Sequence, residues 1–338
     1  MQNMQNLPWI EKYRPTTLNE VLSHEEIIGT LKTFIKNKCL PHLLFYGNPG
    51  TGKSSIIAAV ARELYGKYYP SMVMELNASD DRGIEVVRNK IKQFVISKSA
   101  FMYQNTDAAL NSNFKLVILD EADAMTSDAQ NILRKIVEKY TNNTRFCLIC
   151  NYIQNINPAL KSRCTIFRFS PIGDDKIKEK ILQISIKENI NIQESGIDTI
   201  VKRSNGDMRK VINILQSVSM SYPFINEENV NTSLGYPSFK NIMTILKYLM
   251  VDNFEVAYDG IMEIYTQNGF SLDDIITEIH EIFLSYLINS KSEIAFINKV
   301  DKERIMKILD KLRTIEFNQS VNIIDNIQIS GLIGVFHF

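Results

Sequence analysis

The sequence predicts an α/β fold with a mostly parallel sheet, followed by helical modules. Short apolar, strand-like runs alternate with helical stretches over the first 170 residues, and one of them leads into a glycine-rich loop and an alanine-rich helix. Beyond Pro171, apolar positions recur mainly at helical spacing. At 338 residues the chain exceeds one ordinary domain, so two or three modules are expected.

In chain order, residues 43–46 form a first short strand, residues 47–54 a phosphate loop and residues 56–61 the start of a helix. Further strands are predicted at 72–76, 116–119, 146–150 and 165–169, where the runs are as short and apolar as those of strands covered on both faces. Helical periodicity resumes at 174–189, near 196–203 and at 208–220, a small helical module. Residues 221–240, with Pro223, Pro237 and several Asn, read as a linker. Residues 241–258, 272–290, 292–312 and 318–335 then predict a separate all-helical domain. The Asn-rich stretch 104–113 reads as a loop.

Composition excludes several classes. The chain carries 38 basic and 38 acidic residues, but residues 1–240 hold 30 and 24 while the remainder holds 8 and 14. A basic front and an acidic back are concealed by the zero net charge. Four cysteines are too few for a disulfide framework, and the Cys147–Cys150 pair encloses Leu148 and Ile149, which favours a buried strand over a redox or zinc site. The opening lacks a basic flank followed by a long apolar segment, which predicts a non-secreted chain. No run approaches the roughly 18–20 apolar residues that span a bilayer, so no membrane partner is expected.

Gly47-Asn48-Pro49-Gly50-Thr51-Gly52-Lys53-Ser54 satisfies G-x-x-x-x-G-K-[S/T]. Chemically, glycines expose backbone N–H groups to phosphate, Lys53 adds a positive charge, and Ser54 offers a hydroxyl to magnesium. The strand at 116–119 ends in Asp120-Glu121-Ala122-Asp123, where Asp120 is placed to hold magnesium and Glu121 to polarise an attacking water. A solvated strand end explains Asp123 adequately, but it explains the phosphate loop and the acidic strand together much less well. Asn151, closing another apolar strand, is either a water-positioning amide or a turn former. Arg163 and Arg209 are candidate cations for a transferring phosphoryl group, or surface ion-pair residues.

Together these segments resemble the AAA+ ATPases and, more narrowly, the small subunits of replication factor C. The resemblance runs through Trp9-Ile10-Glu11-Lys12-Tyr13-Arg14-Pro15, the phosphate loop, residues 75–84, Asp120–Asp123, Ser162-Arg163-Cys164 and Gly206-Asp207-Met208-Arg209-Lys210, covering the first two-thirds of the chain. It implies a RecA-like P-loop domain over 1–170, a helical lid over 171–235 and a helical collar over 236–338. Asn151 and Arg209 are the phosphate sensors it implies, and Arg163 a finger acting in trans on the adjacent subunit's nucleotide. Tyr13, Arg14 and Ser55 join Gly47–Ser54 around ATP and Mg2+. Asn48 departs from the more usual Pro, and Ser54 from Thr, without loss of the chemistry.

The partners implied are four other replication factor C subunits, the PCNA sliding clamp and primer-template DNA, in the nucleus. Arg88 and Lys92 are four apart on an amphipathic helix, with Arg82 near its start; this face is either solvated or set to meet successive phosphates, and the resemblance favours DNA. Phe101, Tyr103 and Phe114 are either a clamp-facing patch or ordinary packing. A mainly structural or ATP-sensing subunit, and a different AAA+ motor such as a branch-migration ATPase, are the alternative readings.

Overall fold

The structure, a computed structural model, describes residues 7–79, 87–97, 114–289, 300–320 and 325–337. The chain divides into two compact units, Met1–Ile190 with Ile200–Gln216, and Asn191–Thr199 with Ser217–Phe338.

The first unit is organised by five parallel strands: β1 (Leu43–Gly47), β2 (Val73–Asn77), β3 (Lys115–Asp120), β4 (Thr144–Cys150) and β5 (Thr165–Phe169), in the order β2-β3-β4-β1-β5. All five predicted strands are present, shifted by no more than two residues at an end. Alternation along them builds two cores. Leu43, Phe45, Ile118, Cys147 and Ile149 face the helices Glu25–Lys36 and Lys53–Tyr65, while Leu44, Val117, Leu119, Phe146 and Leu148 face Ser127–Tyr140. Cys147 and Cys150 therefore lie in different cores, on opposite faces of the sheet, and cannot share a metal or a disulfide. Burial raises both thiols, that of Cys150 to about 12, leaving them protonated.

Phe114 is buried against Tyr65 and under Arg145, so it packs rather than facing a clamp; Phe101 and Tyr103 lie outside the described residues. The predicted basic helix is a π-helical turn over Val87–Ile91 that passes into α-helix at Lys92–Ile96. Lys115 ties its end to the sheet, donating to Phe94 O at 2.7 Å and Ser97 Oγ at 2.9 Å with its ammonium 4.7 Å from the Phe94 ring centroid.

His42, just before β1, is 7% exposed and accepts the Phe146 N–H at 3.2 Å through Nδ1. Burial, aided by the Arg145 charge, pushes its pKa down to about 4. The unfolded imidazole takes its proton near pH 6.5 and the folded one only near 4, so this contribution is complete above about 6.5 and is lost as pH falls through that window. It amounts to about 3 kcal/mol. His42→Gln is expected to be less stable at pH 7 yet to lose less between pH 7 and pH 4.5 than the wild type, as read from urea midpoints at each pH.

In the second unit the helices Phe239–Val251, Phe254–Asn268, Leu272–Asn289, Lys302–Ser320 and Asp325–Phe336 enclose a core that includes Ile245, Leu246, Ile279, Phe283, Ile329 and Phe336. Two expectations are corrected here. The supposed linker at 221–240 contains a two-residue strand, Phe224–Ile225, paired with Asn191–Ile192, and the helix Glu227–Leu234. Asn226 starts that helix by accepting the Asn229 N–H at 2.8 Å, so it is a cap, and Asn229 and Asn231 lie within the helix. The helix expected over 241–258 is two helices, divided at Asp252–Asn253, where Asn253 caps the second by accepting the Val256 N–H. Among the described residues no helix is long and apolar enough to cross a membrane.

Candidate nucleotide site

At the carboxyl ends of the strands lies a cleft of about 530 Å³. Its wall includes the loop from Pro49 to Ser55, together with Asp120, Glu121, Asn151, Arg209, Tyr13 and Arg14. The loop turns out of β1 into the helix Lys53–Tyr65. Gly50, at φ +69°, has no room for a side chain: a Cβ would sit 1.7 Å from Asp207 Oδ1. Asp207 in turn begins the helix Met208–Ser221, accepting the N–H groups of Arg209 at 2.8 Å and Lys210 at 3.3 Å. Arg209 is thereby fixed beside the phosphate loop, close enough for its charge to act on Lys53.

Lys53 is 7% exposed and donates to Gly47 O at 2.7 Å, Asn48 O at 2.8 Å and Asn151 Oδ1 at 3.1 Å. Gly47 and Asn48 take part through their carbonyls, so the identity of the Asn48 side chain carries none of this geometry. Burial lowers the Lys53 pKa, opposed mainly by Asp120. Ser54 Oγ donates to Asp120 Oδ2 at 2.6 Å, placing a hydroxyl and a carboxylate together at the ends of the loop and β3. Such hard oxygen donors beside a lysine suit a magnesium–phosphate group. Glu121 follows at φ +52°, a left-handed conformation that an ordinary residue adopts at a cost of about 1–2 kcal/mol and that turns the chain out of the strand line.

Several positioning residues escape sequence reasoning. Asp123 Oδ2 accepts the N–H groups of Asn151 at 3.1 Å and Tyr152 at 3.0 Å, so the residue read as a solvated strand end fixes the start of the Asn151 loop. Gln130 fixes its far end, donating to Asn155 O at 3.0 Å and accepting the Asn157 N–H at 2.7 Å. Asn77, paired with Asp120 across β2 and β3, and Lys180 of the helix Asp174–Glu188 also line the cleft. Only Asp207 left a signal in the sequence, an Asp directly before a predicted helix.

Arg163 stands apart from the cleft, bonded to Ala159 O at 2.6 Å and paired with Glu138 at 2.5 Å. Of the proposed DNA residues, Arg82 lies outside the described residues and Arg88 within the π turn. Lys92 is exposed and lines a shallow groove with Lys135 and Lys139.

Fold and cleft together define a P-loop ATPase of the AAA+ class with a helical lid and a C-terminal helical domain. Family models agree segment by segment: "ATPase family associated with various cellular activities (AAA)" over 43–172, "RFC1-like, AAA+ ATPase lid domain" over 174–231, and "Replication factor C C-terminal domain" over 237–335. The chain is 46% identical to Replication factor C subunit 5 of Homo sapiens, covering 98% of this chain and 92% of that protein. It is 41% identical to Replication factor C subunit 3 of Saccharomyces cerevisiae, covering 98% and 94%. The chain therefore belongs to the family of replication factor C subunits. Among solved structures, the Thermotoga maritima RuvB Holliday junction branch migration motor shares the fold, with a TM-score of 0.51 and 16% identity over 79% of this chain and 91% of that one.

Proposed function

We propose that this chain is a small subunit of a five-membered, nuclear replication factor C assembly, which uses ATP to place a PCNA-type sliding clamp on primer-template DNA. The observation that carries the nucleotide part is the Ser54–Asp120 contact at 2.6 Å beside the buried Lys53 ammonium. Magnesium bound with ATP would supply charge neutralisation, and Ser54 and Asp120 are the residues that would hold it. Lys53 and the loop N–H groups neutralise and orient the phosphates, Glu121 polarises the attacking water, and Asn151 and Arg209 sense the terminal phosphate. Tyr13 and Arg14 position the base end. Arg163 serves the adjacent subunit's site, a reading supported by its place outside its own chain's cleft.

The domain boundaries proposed are 1–170, 171–235 and 236–338, the last being the collar that joins subunits. DNA is gripped by phosphate contacts from Arg82, Arg88 and Lys92, with Lys135 and Lys139 extending the basic tract, a mode that serves any sequence. Identity of 41–46% along nearly the whole chain favours this reading over a branch-migration motor, to which the likeness is one of fold. The test is assembly state. Co-expressed with four related subunits, the chain is expected to purify as a heteropentamer with one copy of each; a homo-hexamer that moves DNA junctions would displace the proposal.

A further inference from the structure

Tyr13 is held in the cleft wall from outside it. Its hydroxyl donates to Glu188 Oε1, which also accepts the Lys12 ammonium at 2.6 Å. Glu188 ends the helix Asp174–Glu188 and does not itself line the cleft. The Tyr13 ring lies 5.6 Å from the Lys12 ammonium and 5.9 Å from that of Lys187, and meets the Trp9 ring edge-on at 6.3 Å. The Trp9 backbone N–H donates to Gln216 Oε1 at 3.1 Å on the helix Met208–Ser221, the helix that also bears Arg209.

The direction of the central hydrogen bond is fixed by its chemistry. Burial first, then Glu188, drives the Tyr13 hydroxyl well above its ordinary pKa, so the proton stays on the phenol. Burial also pushes the Glu188 carboxyl upward, but the hydrogen bonds from Lys12 and Tyr13 outweigh it and keep the group ionised. A phenol donating to a carboxylate is a charge-assisted bond, stronger than a neutral pair and strongly directional. The same carboxylate draws in the preceding residue through Lys12, so one side chain sets the path of the segment that leads to Arg14.

We infer that Glu188 is a positioning residue for nucleotide binding, holding Tyr13 in the cleft wall so that the base end of the site is formed before nucleotide arrives. This rests on the reading of the cleft as a nucleotide site. Preorganisation of this kind acts on affinity, because the ordering cost is met in the free protein, and leaves the phosphoryl-transfer groups at the other end of the cleft untouched.

The test uses the full chain for equilibrium binding of a fluorescent ATP analogue with magnesium, and the assembled complex for turnover. Glu188→Ala is expected to weaken binding roughly 5- to 20-fold and to raise KM in proportion, with kcat within about twofold of wild type. Glu188→Gln, which keeps an acceptor oxygen, is expected to recover affinity to within about threefold. Tyr13→Phe should match Glu188→Ala, and the double variant should bind no more weakly than either single one, the sign of a shared interaction. A lesion that merely loosened the fold would lower kcat and escape rescue by Gln. The inference is overturned if Glu188→Ala binds as tightly as wild type, if the two single effects multiply, or if kcat falls at unchanged KM. Absence of binding by the wild-type chain overturns the nucleotide reading as well, whereas tight binding by both wild type and Glu188→Ala overturns the inference alone.

Discussion

Lys53→Met is expected to weaken binding of magnesium–ATP by roughly a hundredfold or more. The ammonium is the buried positive charge of the phosphate loop, and losing a charge-assisted contact to a phosphate costs on the order of 3 kcal/mol or more. Met preserves most of the apolar stem, so the helix Lys53–Tyr65 keeps its packing. The carbonyls of Gly47 and Asn48 lose their donor, but neither residue is buried and water can replace it, so stability should change by about 1 kcal/mol. Calorimetric titration paired with a thermal melt checks both halves. Retained affinity at an unchanged melting temperature would remove Lys53 from the site.

Glu121→Gln is expected to divide binding from hydrolysis. The amide keeps the shape of the carboxylate and the left-handed backbone at this position, but it cannot take a proton from water. Turnover per site should fall by about 10²–10³ while nucleotide affinity stays within a few-fold. In the complete assembly, measured by phosphate release and by clamp retention, the altered complex should bind clamp and DNA and fail to let go. Normal release would instead favour a structural or ATP-sensing subunit.

The parts of the fold that were legible in the sequence share one physical cause. A parallel strand covered on both faces must be a short apolar run, and each of the five announced itself in that way. Its carboxyl end must carry polar groups if it borders a site, so Asp120 and Asn151 were visible at strand ends and the phosphate loop at the end of β1. Errors fell where capping chemistry imitates loop chemistry. Asn226, Ser238 and Asn253 each start a helix, yet in sequence they resemble a linker or are lost within a continuing apolar period.

Other site residues were illegible because their partners are distant in sequence. Asp123 meets Asn151 and Tyr152 across β3 and β4, Gln130 meets Asn157, and Glu188 meets Tyr13 across 175 residues. Nothing local marks an Asp or Glu as one that organises another residue's backbone or ring. Those assignments come from packing alone.

The most direct measurement of the central claim is the number of clamps left topologically linked to primed circular DNA by the reconstituted five-subunit assembly, counted with and without this chain. Stable, ATP-dependent loading is expected, and it should disappear when the chain is omitted or carries Lys53→Met. Loading that proceeds equally well without the chain, or without ATP, would rule out its role in clamp loading.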